Sequence, residues 1–151
     1  MYDLIIVGAG PAGLTAALYA LRANKKVLLL EAKSYGGQIL KTNLIENYPA
    51  LPNISGFEFS QNLYNQVKDL GVDYKNETVI RITENKEVIT NKETYNGKAI
   101  ILATGCEFRK LNIDKEEEFI GKGISYCATC DGNFYRKKKV AVVGGGNTAL
   151  E

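Results

Sequence analysis

The chain contains 151 residues, of which 45% are hydrophobic and 24% are charged, and its formal net charge at pH 7 is +2. These values are typical of a globular protein with one domain, or with one domain and the start of another. The small net charge gives no electrostatic reason to expect a nucleic-acid or anionic-membrane partner, and no run of about 18 apolar residues predicts a membrane span.

The first part of the chain predicts a strand, a helix and a second strand. Residues 3–7 form an apolar run, which we interpret as a buried strand. The run is too short to be a signal peptide, and it lacks the basic leader of one. Pro11–Arg22 carries leucines at helical spacing, and residues 27–30 form a second apolar run that ends at Glu31. Both strands are apolar on both faces, which is typical of a parallel sheet that is covered on both sides.

The middle of the chain predicts a loop, a helix and a group of short strands. Glycines, prolines and asparagines over residues 34–55 indicate a loop. A helix follows, because apolar side chains recur three or four residues apart between Ser55, a suitable N-cap, and Gly71, a suitable stop. Three short strands are predicted next, over residues 79–83, 87–90 and 93–95. The turn-forming Asn-Lys pairs between them indicate a small antiparallel meander beside the main sheet.

The last part of the chain predicts a further buried strand and the start of a new unit. Residues 99–103 form another apolar strand, and residues 114–118 form an acidic patch without apolar periodicity. We place a domain boundary at this patch, which divides the chain into residues 1–114 and 115–151. Residues 139–143 begin a new strand–turn–helix pattern.

Residues 8–13, with the sequence Gly-Ala-Gly-Pro-Ala-Gly, have the spacing of a dinucleotide-binding turn between a strand and a helix. In such a turn Gly8 allows the tight bend, Gly10 leaves room for the pyrophosphate, and Gly13 lets the helix pack on the strand. Pro11 suits the first helical turn, whose N–H groups attract the pyrophosphate. Glu31 lies where a carboxylate can bind the ribose hydroxyls of an unphosphorylated nucleotide such as FAD or NAD. The alternative is a glycine-rich turn without a ligand.

Cys127 and Cys130 form a Cys-x-x-Cys pair whose spacing brings the two sulfurs within reach of a disulfide. The absence of histidine excludes a Ser-His-Asp triad, a Cys-His pair and a histidine-liganded metal within these residues. Asp131, which directly follows the pair, is therefore the nearest candidate proton donor or acceptor. We favour a redox disulfide over a zinc knuckle, for which only Cys106 and carboxylates remain as further ligands, and over two buried structural thiols. Cys106 is interpreted as a small core residue or a bystander.

A second glycine-rich turn, Gly144-Gly145-Gly146-Asn147-Thr148-Ala149, follows the apolar residues 140–143. Alanine is an accepted variant at its last position. The residue that would contact the ribose is expected about 20 residues further on, outside this sequence, so the second nucleotide site is predicted only in part. The basic run of residues 136–139 either attracts a phosphorylated nucleotide or forms a solvated turn before the strand.

Taken together, these motifs resemble the low-molecular-weight, bacterial-type thioredoxin reductases over essentially the whole chain. The matching segments are residues 8–13 (the FAD turn), 36–38 and 46–49 (two flavin loops), 103–105 (the strand end beside FAD), 121–135 (the dithiol block) and 139–151 (the NADPH turn). The dithiol block is the most specific of them, because glycine turns occur in many flavoproteins.

The resemblance implies an α/β fold: a Rossmann-like FAD-binding parallel sheet with an antiparallel β-meander crossover, and the start of a second Rossmann-like domain for NADPH. It implies that NADPH reduces FAD, that the flavin reduces the Cys127–Cys130 disulfide, and that the dithiol reduces thioredoxin. Cys130 would be the sulfur nearer the flavin, and Asp131 would handle protons. The implied cofactor-binding residues are Gly8, Gly10, Pro11, Ala12, Gly13, Glu31, Ala32, Gly36, Gly37, Gln38, Asn47, Val79, Ala103, Thr104 and Gly105 for FAD, and Gly144, Gly146, Asn147 and Thr148 for NADPH.

Further expectations concern the whole protein. Three cysteines and no export signal indicate a cytoplasmic location. The shortage of further ligands favours a protein without a metal, and the resemblance implies a homodimer. Family chains are longer and complete the FAD domain with a returning C-terminal segment, so we expect this chain to be part of a longer one. A molecule that ended at Glu151 should bind flavin more weakly and should show no NADPH-driven turnover. The alternatives are a peroxiredoxin-reducing flavoprotein of the same core, a ferredoxin-driven reductase and a non-catalytic FAD-binding module.

Overall fold

The computed structural model describes residues 1–51 and 53–150, apart from the side chains of Thr129, Cys130 and Thr148. The chain forms two compact units, Met1–Cys106 and a second that begins at Glu107. The functional division between residues 114 and 115 stays a prediction.

The first unit is built on a mixed six-stranded sheet. Its strands are β1 (Tyr2–Val7), β2 (Val27–Glu31), β3 (Asp73–Asn76), β4 (Val79–Ile82), β5 (Glu87–Thr90) and β6 (Thr94–Leu102). Their order across the sheet is β3-β2-β1-β6-β5-β4. Neighbours from β3 to β6 are parallel, and β6, β5 and β4 are antiparallel. The predicted α/β fold, a parallel sheet with an antiparallel meander, is confirmed.

Strand β6 belongs to both parts of this sheet. Its first residues pair with β5 in antiparallel register, and from Gly97 onward it pairs with β1 in parallel register. The prediction of two separate strands over residues 93–95 and 99–103 was therefore wrong. Asn96 and Gly97 interrupt the apolar pattern at the point where the partner changes, and a Cβ on Gly97 would lie only 2.8 Å from Cγ1 of Ile5.

Two helices, α1 (Pro11–Arg22) and α2 (Gly56–Asp69), pack against one face of the parallel strands. Apolar side chains of the helices and strands form one buried cluster there. Both were predicted, and the hydroxyl of Ser55 caps α2 by accepting a hydrogen bond from the Glu58 N–H at 3.1 Å. The buried side chains of this core are Ile6, Ala9, Leu14, Ala17, Val27, Leu29 and Val67. This face of the sheet carries the helix that opens with the glycine turn.

On the opposite face of the sheet, the meander packs against β1 and β2. The buried side chains of this second core are Ile5, Leu28, Leu30, Val88 and Tyr95. Because neighbouring residues of a strand point to opposite faces, β1 and β2 must be apolar at every central position, as their sequences are. Strand β3 was not predicted, because its sequence Asp-Tyr-Lys-Asn is polar and has no apolar alternation.

The segment predicted as a loop over residues 34–55 contains local structure. A short 3-10 helix spans Gly37–Lys41, and an isolated bridge joins Ile45 to Ile54. These two isoleucines form a small buried cluster with Phe59 of α2. The cluster gives the loop a packed base.

The second unit contains only short elements in its described part. They are α3 (Glu116–Phe119), α4 (Ala128–Asp131), a 3-10 helix over Gly132–Tyr135 and α5 (Asn147–Leu150). The strand predicted over residues 140–143 is not formed, and Val140, Val142 and Val143 are 61%, 65% and 71% exposed. A strand needs a hydrogen-bonded neighbour, and none of the described residues pairs with this segment. No helix in the described ranges is long and apolar enough to cross a membrane.

The Tyr2 hydroxyl predicts a pH dependence of stability. Burial, helped by the hydrogen bond that the phenol donates to Asp73, raises the pKa of Tyr2 to about 12. Since the folded protein holds this proton more tightly than the unfolded chain, Tyr2 stabilises the fold below about pH 10, and this contribution is lost as the pH rises toward 12. The difference in free energy of unfolding between wild type and Tyr2→Phe should therefore shrink between about pH 9 and pH 11.5 in urea titrations. Tyr19→Phe, at a 68% exposed position, is the matched control; a Tyr2 difference that stays constant contradicts the expectation.

Candidate functional site

The glycine turn of residues 8–13 lies where β1, α1 and the end of β6 meet. Gly8 has a φ of +103°, and a Cβ on it would lie 2.3 Å from the carbonyl oxygen of Ala103. A Cβ on Gly13 would lie 1.8 Å from the carbonyl oxygen of Gly8. Both positions therefore require glycine, because the strand, the helix and β6 are in direct backbone contact.

Gly10 differs from these two glycines, because a Cβ on it would meet no described atom within 4 Å. Its φ of −73° is accessible to any residue, so neither strain nor packing explains a glycine here. Helix α1 begins at the next residue with Pro11, and in the described structure no side chain caps its N-terminus. The first N–H groups of a helix have no intrahelical partner, so this turn offers donors beside open space, which fits a phosphate group.

The carboxylate of Glu31 is held at the same turn. Its Oε2 accepts a hydrogen bond from the Ala9 N–H at 2.8 Å, and its Oε1 accepts one from the Lys33 N–H at 2.9 Å. Each carboxylate oxygen has a second lone pair, so both can still accept a bond from a ribose hydroxyl. The geometry therefore suits the predicted role of Glu31.

Asn76, at the end of β3, supports the position of Glu31. Its Nδ2 donates to the carbonyl oxygen of Glu31 at 3.1 Å and to that of Lys33, and the Glu77 N–H donates to the Glu31 carbonyl at 2.9 Å. Sequence reasoning missed this contact because it missed β3. The only signal for this contact was an asparagine, Asn76, after a short polar segment, and that signal did not point to Glu31, 45 residues away in the sequence.

Two further predicted segments lie against the turn. The Gly36 N–H donates to the Ala9 carbonyl at 2.8 Å, and a Cβ on Gly37 would lie 3.4 Å from the Cα of Gly10. The Gln38 side chain donates from Nε2 to the Cys106 carbonyl at 3.0 Å, which joins this loop to the segment after β6. The predicted residues at 36–38 and 103–105 are thus brought to one edge of the sheet, at the carboxyl ends of β1 and β6.

The other predicted FAD residues make fewer contacts with the glycine turn of residues 8–13. Ala32 is exposed after Glu31, and Asn47 is exposed in the loop between β2 and α2. Val79 begins β4 and packs against the core beneath the meander. In the part of the chain that is described, no hydrogen bond joins Asn47 or Val79 to the glycine turn.

In the second unit, Cys127 is disulfide-bonded. The side chain of Cys130, its predicted partner, lies outside the described residues. Cys106, in the first unit, is free and exposed. Of its two interpretations, a core residue or a bystander, the first was therefore wrong. The described residues contain no group of three or more cysteine and acidic side chains placed to hold a metal ion.

Asp131 is tied to Cys127 through Ser125. The Ser125 hydroxyl donates to Oδ2 of Asp131 at 2.7 Å, and the Ser125 Oγ accepts from the Cys127 N–H at 3.1 Å. The Asp131 N–H also donates to the Cys127 carbonyl at 3.0 Å. Helix α4 is a single turn, so its dipole is small. Ser125 was not predicted, although a serine two residues before the pair is a known turn signal.

Glu116 holds the residue next to Cys127. Its carboxylate is buried, with 5% of the residue exposed, and accepts from the Leu111 N–H at 3.0 Å, from the Asn112 N–H at 2.7 Å and from the Tyr126 hydroxyl. The expectation that residues 114–118 form only a hydrophilic patch was therefore incomplete. One carboxylate of this acidic patch, that of Glu116, is buried and binds Tyr126, the residue that precedes Cys127.

The second glycine turn is less constrained than the first. Gly144 has a φ of +119°, and a Cβ on any of residues 144–146 would meet no described atom within 4 Å. Asn147 is exposed and opens the four-residue helix α5, and the Thr148 side chain lies outside the described residues. Among the described residues, no close backbone contact fixes this turn as it fixes the first.

Comparison with known proteins identifies the family. Residues 2–151 match the family model of the pyridine nucleotide-disulphide oxidoreductases. The chain is 48% identical over 154 residues to a thioredoxin reductase of Treponema pallidum, covering 99% of this chain and 50% of that protein. It is 45% identical to a thioredoxin reductase of Mycoplasma genitalium, covering 100% and 49%. The crystal structure of Lactococcus lactis thioredoxin reductase matches with a TM-score of 0.71 at 45% identity, over 89% of this chain and 46% of that one.

The chain therefore belongs to the pyridine nucleotide-disulphide oxidoreductase family. Within it, the predicted resemblance to the N-terminal portion of thioredoxin reductases is confirmed. The chain spans about half the length of the curated relatives that it matches.

The glycines of the first turn predict unequal losses of stability for the same substitution. Gly13→Ala places a methyl group 1.8 Å from a backbone oxygen and should lower the free energy of unfolding by about 3 kcal/mol or more. Gly10→Ala points into open space and should cost about 1 kcal/mol or less. Urea titration of both variants measures the difference, and equal losses would show that the close contact at Gly13 is not real.

Proposed function

We propose that the protein containing this chain is a flavoprotein thioredoxin-disulfide reductase, in which electrons pass from NADPH through FAD to a Cys127–Cys130 disulfide and on to thioredoxin. The observation that carries the proposal is a nucleotide turn with its carboxylate, Glu31, in place, in a chain whose disulfide-bonded Cys127 has Asp131 held beside it. The names of the relatives support the same function.

FAD is the nucleotide that suits the first turn. The space at Gly10 and the N–H groups that open α1 would hold the pyrophosphate. The Glu31 carboxylate would hold the ribose hydroxyls and would repel a 2′-phosphate, which disfavours NADPH at this site. The segments at 36–38 and 103–105 would border the cofactor. When bound, FAD supplies a two-electron relay between a nicotinamide and a disulfide.

The cysteine pair would carry out thiol–disulfide exchange with the acceptor. The Cys127 sulfur attacks the acceptor disulfide, an S–S bond forms between the two proteins, and the displaced acceptor sulfur takes a proton. The second cysteine then attacks Cys127, releases the other acceptor sulfur, which also takes a proton, and restores the Cys127–Cys130 disulfide. Two electrons and two protons reach the acceptor. Asp131 is the candidate group that takes the proton from the attacking thiol and returns it to the leaving sulfur.

The donor side of the proposal rests on the second turn. Gly144, Gly146, Asn147 and Thr148 would contribute to an NADPH site whose remaining residues lie outside this sequence. We extend the proposal to a homodimer, as the resemblance implies, and to a cytoplasmic location, as the cysteine usage indicates. Sedimentation of the full-length protein tests the oligomeric state.

Spectroscopy of the full-length protein tests the electron path. Purified protein should be yellow, should bleach when NADPH is added without oxygen, and should regain its absorbance with oxidised thioredoxin. The Gly10→Ala variant should fold but should bind FAD at least about 10-fold more weakly, because the new methyl group enters the space for the pyrophosphate. Recovery only with a peroxiredoxin, or bleaching only with reduced ferredoxin, would replace the acceptor or the donor in the proposal. Absence of flavin would overturn it.

Removing one sulfur separates the two half-reactions. In Cys127→Ser, NADPH should still reduce the flavin, but reduction of thioredoxin should fall by at least about 1,000-fold because no disulfide can form. Cys106→Ser, at the free and exposed cysteine, is the matched control and should keep full activity. Stopped-flow absorbance follows both steps, and a Cys127→Ser protein that still reduces thioredoxin would contradict the proposed role of the pair.

A further inference from the structure

We propose that Ser125 is a positioning residue for the disulfide chemistry, because its hydroxyl holds the Asp131 carboxylate beside the reacting Cys127. The inference rests on the proposed function, since it assigns a task within that exchange reaction. It adds a residue that neither the glycine motifs nor the cysteine spacing indicated.

The hydrogen-bond geometry around the Ser125 oxygen defines its direction. Two acceptors lie within reach of the single hydroxyl proton: Oδ2 of Asp131 at 2.7 Å and the carbonyl oxygen of Cys127 at 3.2 Å. The carboxylate is the closer and, when ionised, the stronger acceptor, so the hydroxyl donates its hydrogen bond to the carboxylate. The Cys127 N–H donates to the same hydroxyl oxygen at 3.1 Å. Ser125 therefore bridges the backbone of the cysteine to the carboxylate of the aspartate.

The Ser125 hydroxyl and the backbone restrain Asp131 in different ways. The hydrogen bond from the Asp131 N–H to the Cys127 carbonyl, at 3.0 Å, holds the backbone of the single-turn helix α4. It leaves the carboxylate free to rotate about its side-chain bonds. The Ser125 hydroxyl is the described group that restricts this rotation, because it binds Oδ2. Loss of the hydroxyl should therefore misdirect the carboxylate without unwinding α4.

The serine is itself held in place. Tyr126, between Ser125 and Cys127, donates its hydroxyl to the buried Glu116 carboxylate and stacks on Phe108 with ring centroids 5.7 Å apart. Ser125, Cys127 and Asp131 are all half-buried, so water competes less for the hydrogen bond than it would at the surface. A fixed backbone and partial burial make the serine a rigid support for the carboxylate.

In the exchange step, Ser125 neither gains nor loses a proton. The thiol proton of Cys127 passes to Asp131, the sulfur attacks the acceptor disulfide, the acceptor S–S bond breaks, and the proton passes from Asp131 to the leaving sulfur. Because the hydroxyl occupies Oδ2, the second oxygen, Oδ1, is the one left for this proton transfer. A misdirected carboxylate slows both proton transfers but leaves the sulfur chemistry possible.

The test uses full-length holoprotein that has been reduced with dithiothreitol, so that neither NADPH nor hydride transfer is required. Wild type, Ser125→Ala, Ser125→Thr, Asp131→Asn and the Ser125→Ala/Asp131→Asn double variant are mixed rapidly with oxidised glutathione at about pH 7, below the usual thiol pKa. Ser125→Ala should react about 10-fold more slowly, which corresponds to the loss of one hydrogen bond to a charged group. Ser125→Thr should regain most of the rate, because it keeps the hydroxyl.

Two comparisons distinguish positioning from a merely structural role. Adding Ser125→Ala to Asp131→Asn should cause no further loss, because the serine acts through the aspartate. With an aromatic disulfide above about pH 9.5 the attacking thiol is already ionised and the leaving thiolate is stable, so Ser125→Ala should equal wild type. Ser55→Ala, which removes a capping hydroxyl in the other unit, is the matched control and should exchange normally.

Each other outcome overturns the inference. These outcomes are an unchanged rate with glutathione, an equal loss with the aromatic disulfide at high pH, and additive losses in the double variant. The proposed function is judged by a different variant: if Cys127→Ser reduces glutathione as fast as wild type, the exchange chemistry itself is refuted. If Cys127→Ser is inactive and Ser125→Ala is not impaired, only the role of Ser125 fails.

Discussion

The first unit depends on direct backbone contact between three elements at the glycine turn. Gly13 of α1 lies against the Gly8 carbonyl, and Gly8 lies against the Ala103 carbonyl, at distances that leave no room for a side chain. These contacts place the N-terminus of α1 at the carboxyl edge of β1 and β6. That edge is where a doubly wound sheet receives a ligand, because the loops there diverge and the helix N–H groups point into the gap.

Carboxylates held by hydrogen-bond donors recur at the important positions of this histidine-free chain. Glu31 binds the N–H groups of Ala9 and Lys33, Glu116 binds two N–H groups and a tyrosine, and Asp131 binds a serine hydroxyl. Charged acceptors form stronger hydrogen bonds than neutral ones, so each carboxylate fixes a loop that has little regular structure of its own. In each unit the candidate chemistry is supported in this way.

Regular elements were predicted where the signal is local. The bounds of α1 and the cap of α2 follow from side chains within one or two turns of the chain, and both predictions are confirmed. Elements whose state depends on a distant neighbour were not predicted correctly. The polar strand β3 exists because β2 offers it an edge, and residues 140–143 are not a strand because no described residue pairs with them.

The sequence by itself determined which chemical groups this protein has and how they are spaced: glycines in a strand-to-helix turn, a Cys-x-x-Cys pair and an adjacent aspartate. These features are local, so their spacing survives in the folded chain. Only the tertiary structure decided that Asn76 supports Glu31, that β6 joins the parallel and antiparallel parts of the sheet, and that Ser125 bridges to Asp131. Such contacts depend on distances and side-chain directions in space, which are set by packing and not by the order of residues along the chain.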